Sequence, residues 1–500
     1  MQQLPINTSS GKRPFKYLDA LLLMLSLFTF SCTEQTAKST ENVSLPNILF
    51  IAVDDLNDWI GSMGGHPNAL TPNLDRLGAQ STLFTNAHCQ APICGPSRSS
   101  LLSGLYPSST GIYGHINFKG LRGNATVQKS KLLPEYFAEH GYKTMGVGKI
   151  YHSSEGAETF HEFGGKLGGF GPKPEKRMNY TPMPFKGSGT STDWGAFPDA
   201  DEKMPDFKVA TWAAGKLEET HEKPFFLAAG FYRPHVPWHV PQPWFDKHPL
   251  ENVQEPEILD GDLDDLPEIS KRVHEMTMMP PLQWMRENDE IGEATQAYLA
   301  SVTFVDHQVG KLLEALDNSP YAENTIVVLF SDHGYHMGEK HRWAKFSLWE
   351  ESTKVPLMIR LPKQQKGATC RQPVGLIDLY PTLAALCGIP SNPQNQGQNL
   401  QPLIEQPDAE WARPALTTYG RNNHAIRTDR YRYIRYEDGS EELYDHQEDP
   451  NEWHNLAGQP EFIGLKQSLE DFFPKENVPW DANSHIRYNA YFEKHIAENQ

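Results

Sequence analysis

The sequence has no surplus of basic residues: 45 Lys and Arg stand against 63 Asp and Glu, a net charge of −18. That excludes nucleic acid as a partner, because such binding needs basic surface. It also means that an anionic substrate must be caught by a local cationic pocket, since the overall field repels it. Cysteine is scarce, with 5 in 500 residues, so no disulfide scaffold holds the chain together. A Cys370–Cys387 bridge remains open for an exported chain. No internal repeat is visible. The apolar run LLLMLSLF at 21–28 is too short to cross a bilayer.

What is present at the amino terminus reads as processing, not fold. Lys12, Arg13 and Lys16 precede the apolar run, and Ser31-Cys32 follows it. This is an export signal over 1–32, with residues 33–45 as a polar tether. Two outcomes stay open: lipid attachment at Cys32, giving a membrane tether, or plain secretion with Cys32 removed or unpaired. Either places the protein in the periplasm or at the cell surface. Asn42, Asn124 and Asn179 open formal glycosylation sequons, which matter only in a eukaryotic host.

Beyond the tether, 38% hydrophobic and 22% charged residues are ordinary for a globular protein. The length exceeds one core, which predicts a large domain over 46–413 and a smaller companion over 414–500. NILFIAV from Asn47 is a buried parallel strand that stops at Asp54-Asp55. KTMGVG delivers Lys149 and His152, PFFLAAGF at 224–231 leads to His235, and TIVVLF at 325–330 ends at Asp332-His333. A long amphipathic helix over roughly 293–317 precedes the last of these. Alternation of strand and helix predicts an α/β fold, a large mostly parallel sheet sandwiched by helices. Ligands of such sheets gather beyond the carboxyl ends of the strands, where these four polar groups fall. RYRYIRY at 430–436 predicts part of a small antiparallel sheet with one solvated face, followed by a terminal helix. The excursion 164–190, the acidic stretch 239–290 and the segment 419–424 are candidates for the substrate mouth.

Cys94-Gly-Pro-Ser-Arg98 places a thiol at a helix start, with Pro96 in the first turn. Backbone N–H groups there favour an anion, and Arg98, one turn on, can add a forked cation. Asp54, Asp55 and Asp332 with His333 offer an oxygen-rich site suited to Ca2+ or Mg2+. A thiolate is a poor partner for that site, so either the metal is zinc-like or Cys94 does not stay a cysteine. Arg98, Lys149, His152, His235 and Lys345 form a cationic group facing the carboxylates. Metal and cations around one nucleophile suit a tetrahedral oxyanion ester.

With these motifs the chain resembles the type I sulfatases of the alkaline phosphatase superfamily, in which the Cys of a C-x-P-S-R motif is oxidised to formylglycine. Gly148-Lys149-Ile-Tyr-His152, Arg233-Pro-His235-Val-Pro and Ser331-Asp332-His333-Gly334 with Trp343-Ala-Lys345 have counterparts there, and the Lys-x-x-His spacing is similar to that of iduronate-2-sulfatases. The likeness spans about 46–460. It implies Ca2+ rather than Mg2+, held by Asp54, Asp55, Asp332, His333 and the converted Cys94. It further implies that the hydrated Cys94 aldehyde attacks sulfur in line, displacing the sugar oxygen and leaving a covalent sulfate hemiacetal. Arg98 and Lys149 would fix the formylglycine and the sulfate. His152 would help expel the sulfate, and His235, as general acid, would face the leaving group with Lys345. A formylglycine-generating maturation enzyme is an implied partner, and a sulfated carbohydrate, such as a 2-O-sulfated uronate, the implied substrate. Two rival readings share these residues: a formylglycine-dependent phosphonate or phosphate ester hydrolase, and a non-catalytic glycan-binding lipoprotein.

Overall fold

Strand β1 (Asn47–Asp54) is buried along its whole length, and its alternate residues feed two separate cores. Leu49, Ile51 and Val53 face one, while Ile48, Phe50 and Ala52 face the other. Side chains on both faces of one strand therefore find apolar cover, as a sheet sandwiched by helices requires. The computed structural model describes residues 45–500, except 153–155, 183–191, 488 and 500. The export signal, tether, Cys32 and Asn42 lie outside the described residues. Among those residues no helix is long and apolar enough to cross a membrane.

The main sheet has nine strands. Besides β1 its principal members are β2 (Thr82–His88), β3 (Lys143–Gly148), β4 (Phe225–Pro234), β5 (Thr325–Ser331) and β6 (Lys354–Arg360). Their spatial order is β2-β6-β5-β1-β4-β3, with short strands at both edges. β5, β1, β4 and β3 are adjacent and mutually parallel, whereas β6 runs antiparallel to both of its neighbours. The four strands predicted to end in polar groups are thus four neighbours with one common carboxyl edge. The long helix α3 (Ile291–Asp317) covers one face, with Leu299, Val302, Val305, Val309, Leu312 and Leu316 buried in the core that holds Leu49. Earlier in the chain, α1 (Cys94–Ser103) starts at the predicted thiol, and α2 (Pro205–Glu218) packs on the same face as α3.

Four antiparallel strands follow: β7 (Ala415–Thr418), β8 (His424–Arg427), β9 (Tyr431–Arg435) and β10 (Glu441–Asp445). The predicted solvated face of RYRYIRY is not there. Arg432 is wholly buried, with Nη2 on Glu350, Nε 2.6 Å from Glu452 and Nη1 donating to the Leu348 carbonyl. Arg427 also reaches Glu350, and His446 lies 3.0 Å from Glu452. Alternation exposes one face only when that face meets water; here it meets an ion cluster instead. Burial would raise the Glu350 carboxyl, but Arg427, His446 and Arg432 outweigh it and hold Glu350 well below the usual range. Such a group contributes stability in full above its unfolded pKa of about 4.3, and the contribution is lost as pH falls through its depressed folded value. Arg432→Met is expected to cost about 3–5 kcal/mol of unfolding free energy, read by urea denaturation at neutral pH. A loss below about 1 kcal/mol would rank the cluster with surface pairs.

The Cys370–Cys387 bridge does not form. Both thiols are free and buried: Cys370 ends an edge strand paired with β2, while Cys387 caps a helix beside the Tyr142 hydroxyl. The Asn124 sequon is closed as well, since its buried amide donates to Thr110 O and Asp481 Oδ2.

Candidate active site

Asp54, Asp55 and Lys149 leave the sheet at points where the backbone is forced to turn. β1 and β4 pair in register to Val53, and then a bulge sets Asp54 opposite Pro234, re-aiming both strand ends. Asp55 follows with φ 64°, unusual for a side chain, and the Tyr298 hydroxyl from α3 holds it by donating 2.8 Å to its carbonyl. Gly148 ends β3 at φ 77°, where a Cβ would stand 2.1 Å from the Gly230 carbonyl oxygen. Only glycine fits, and the turn delivers Lys149 into the site.

Cys94 occupies the first turn of α1 and is 1% exposed. Its Sγ lies 3.2 Å from His333 Nε2 and 3.4 Å from Lys345 Nζ. Lys345 also donates to Asp55 Oδ1 at 2.7 Å, and Lys149 Nζ donates to Asp54 Oδ2. The structure brings Asp54, Asp55, Cys94, Asp332, His333 and His235 together, in two overlapping sets whose polar atoms lie within 4.8 Å of one another. His152 stands beside them, its ring stacked on His115 at 4.0 Å. Arg98 departs from expectation. Its Nε donates to Asp332 Oδ2 at 2.7 Å and its Nη1 to the Lys149 carbonyl, so most of the fork ties α1 to the ends of β5 and β3. Only Nη2 is left without a hydrogen-bond partner, 3.8 Å from Asp54 Oδ1.

Charge in this enclosure is uneven. Burial alone would raise Asp54, but Lys149, His235, Lys345 and Arg98 together hold it well below the usual carboxylate range. Burial, with Asp54 adding to it, pushes Asp55 up to about 7 despite Lys345. Burial and Asp54 likewise raise the Cys94 thiol, which makes it a poor nucleophile as it stands. His235 and His333 are held neutral by burial above all. Their Nδ1 atoms donate to the carbonyls of Val236 and Gly334, so both Nε2 lone pairs face the carboxylates.

Whether a metal fits can be judged from atoms left bare. Asp54 Oδ1 and Asp55 Oδ2 are buried without a hydrogen-bond partner; His235 Nε2 stands 3.8 Å from Asp55 Oδ2, and His333 Nε2 3.4 Å from the other oxygen of the same carboxylate. Orphaned anionic oxygens are costly, and a hard dication satisfies them. The set fits such an ion, and Cys94 sulfur is its one soft member. The third cluster of possible ligands, Glu350, His446 and Glu452, is instead neutralised by arginine.

Above these groups opens a cavity of about 370 Å3. Phe170, from the 164–190 excursion, reaches it and lies with its ring 4.4 Å from His235 and under Lys149. Met276, Met278 and Met279, from the acidic stretch, form an apolar wall. Segment 419–424 does not line the cavity; Tyr419 is buried against Phe492. His115, Asn117, His485 and Arg487 also line it. Sequence reasoning missed them, because no motif surrounds them and their placement depends on tertiary contacts.

The sulfatase family model matches residues 46–389, and the model for the C-terminal part of N-sulphoglucosamine sulphohydrolase matches 338–477. A sulfatase of Formosa agariphila is 45% identical over 479 residues, covering 94% of each chain. Iduronate 2-sulfatase of Mus musculus is 30% identical over 559 residues, covering 89% of this chain and 97% of that one. Phosphonate monoester hydrolase of Agrobacterium radiobacter superposes with a TM-score of 0.68 at 18% identity, covering 85% of this chain and 94% of that one, a likeness of fold alone. Extended matches of sequence, laid over four strand ends that converge on one thiol, leave a single assignment: the chain belongs to the sulfatase family, the type I sulfatases of the alkaline phosphatase superfamily, and is a sulfuric ester hydrolase.

Proposed function

We propose that the protein hydrolyses sulfate esters of a carbohydrate, using a formylglycine made from Cys94 and a divalent cation, Ca2+ in preference to Mg2+. The observation that carries this reading is the setting of Cys94. A buried thiol at a helix start is ringed by His333, Lys345 and bare carboxylate oxygens, where a thiol is the wrong ligand and an oxygen the right one. Conversion of the side chain to a hydrated aldehyde puts oxygen at that position.

Asp54, Asp55, Asp332 and His333, with the converted Cys94, would hold the cation. When bound, the cation supplies Lewis-acid neutralisation of the sulfuryl oxygens. Lys149, anchored on Asp54, and the spare Nη2 of Arg98 orient the sulfate group. Lys345 stays charged because Asp55, Cys94 and Asp54 outweigh its burial, and it holds a proton 3.4 Å from the reacting position. His235 delivers a proton to the leaving oxygen once its Nε2 is protonated, since Nδ1 is committed to Val236. His152, neutral through burial, accepts the proton whose removal releases sulfate.

The similarity to iduronate 2-sulfatase and the Lys149-x-x-His152 spacing support a 2-O-sulfated uronate as the sugar. On this reading the enzyme is exported, matured by a formylglycine-generating partner and either released or tethered at Cys32, and it meets sulfated carbohydrate outside the cytoplasm. Released sulfate from a panel of defined sulfated disaccharides tests the reading, with 2-O-sulfated uronosides expected to turn over fastest. Faster hydrolysis of an aryl phosphonate than of an aryl sulfate would overturn it, as would sulfate binding without turnover in converted protein.

A further inference from the structure

Residues 478–487 lie beyond both matched family segments, which end at 389 and 477. They are nonetheless built firmly into the cavity. Val478 N donates to Ser108 O, Asp481 N to Gly111 O, and Gly114 N to Ser484 Oγ. His115 and His485 exchange both backbone hydrogen bonds, at 2.8 and 2.9 Å. Gly114 is required here, because a Cβ would stand 2.4 Å from the His485 carbonyl oxygen. Past this bridge, Asn489 donates to the carbonyls of Val273 and Glu275, next to Met276 of the apolar wall. The segment is a strap that crosses from one wall of the cavity to the other.

Its two side chains at the cavity are His485 and Arg487. The deeper cations are already committed: Lys149 to Asp54, Lys345 to Asp55 and Arg98 to Asp332. Arg487 is exposed at the rim, and among the described residues no ion pair to a carboxylate is seen for it. In a chain of net charge −18, an uncommitted guanidinium at the mouth of an anion-binding cavity stands out. His485 is held neutral by burial and by Arg487, so it offers a hydrogen bond while the positive charge is Arg487's. The methionine wall gives a sugar ring an apolar surface alongside.

We propose that the strap builds a second anion subsite, in which Arg487, with His485 beside it, takes a carboxylate or further sulfate of the sugar that carries the scissile ester. This rests on the reading of the cavity as a sulfated-sugar site. A forked guanidinium matches either anion in bidentate fashion. Arg487 then sets specificity, selecting anionic over neutral sulfated sugars.

The test uses full-length converted enzyme and three substrates: a 2-O-sulfated uronosyl disaccharide, its carboxyl-reduced counterpart, and a carboxyl-reduced form bearing a second sulfate. Arg487→Ala is expected to lower the kcat/KM preference for the anionic substrates over the neutral one about tenfold, mainly through KM. The arm that loses its advantage identifies which anion is read. Arg487→Lys is expected to restore part of the preference, and Gly114→Ala, by displacing the strap, to reduce it as well. A preference unchanged on both arms in Arg487→Ala overturns the inference alone. An unaltered enzyme that releases sulfate from none of the three overturns the substrate reading and the inference with it.

Discussion

Replacing Cys94 by alanine is expected to lower sulfate release by about four orders of magnitude or more, the scale seen when a covalent nucleophile is removed. The side chain lies at the focus of the site, with His333 at 3.2 Å and Lys345 at 3.4 Å. The adjacent carboxylates are ion-paired with Lys149, Lys345 and Arg98, and on the proposed mechanism they serve the cation rather than the sulfur. The change is small in volume, so thermal unfolding should move only a few degrees, which separates loss of chemistry from loss of fold. Mass spectrometry of the peptide around position 94 completes the experiment. An aldehyde there in active enzyme, and alanine in inert enzyme, is the expected pair of results. Active enzyme with an unaltered thiol, or an alanine variant retaining more than about a hundredth of the rate, would refute the mechanism.

Stripping the divalent cation is expected to lower the rate by about 100- to 1,000-fold, the scale of losing one preorganised electrostatic contact to the transition state. Asp54 and Asp55 are adjacent buried acids, and Asp55 is pushed up to about 7 by burial and by its neighbour. Without a dication, two lysines and an arginine are the counter-charges available, and Asp54 Oδ1 and Asp55 Oδ2 remain bare. Adding Ca2+ back should restore activity and raise Tm, since a ligand at 100 times its Kd stabilises the folded state by about 2.7 kcal/mol. Asp55→Asn should abolish that rise in Tm. Full activity after exhaustive chelation, with no metal found by elemental analysis, would remove the cation from the mechanism.

Much of the site was legible because chemistry sits where periodicity stops. Asp54-Asp55, Lys149, His235 and Asp332-His333 each follow a buried apolar run, and in an α/β sheet such points share an edge. Strand order was not legible, because pairing depends on contacts between residues some 280 apart, such as Asp55 N with Asp332 Oδ1. Arg432 misled for a related reason. An alternating strand reads as half-solvated unless its polar face meets partners, and Glu350 lies 82 residues away in sequence, while Glu452 comes from a loop beyond the next strand. The tie of Arg98 to Asp332, again more than 200 residues away, likewise had no local signal. His115, His485 and Arg487 had no local signal at all. Their role follows from a strap held largely by backbone hydrogen bonds, which any sequence can make.

The burial of Cys94 also sets a clock. The residues that close over it are His333 and Lys345, which lie 239 and 251 positions downstream. A nascent chain growing at about 5–20 residues per second therefore leaves the thiol uncovered for on the order of ten to fifty seconds. If Cys94 is converted as proposed, its oxidation has to fall within that interval or meet an unfolded chain, because the finished protein exposes 1% of the residue. Competition between folding and oxidation at one position would then decide what fraction of the molecules ever becomes active.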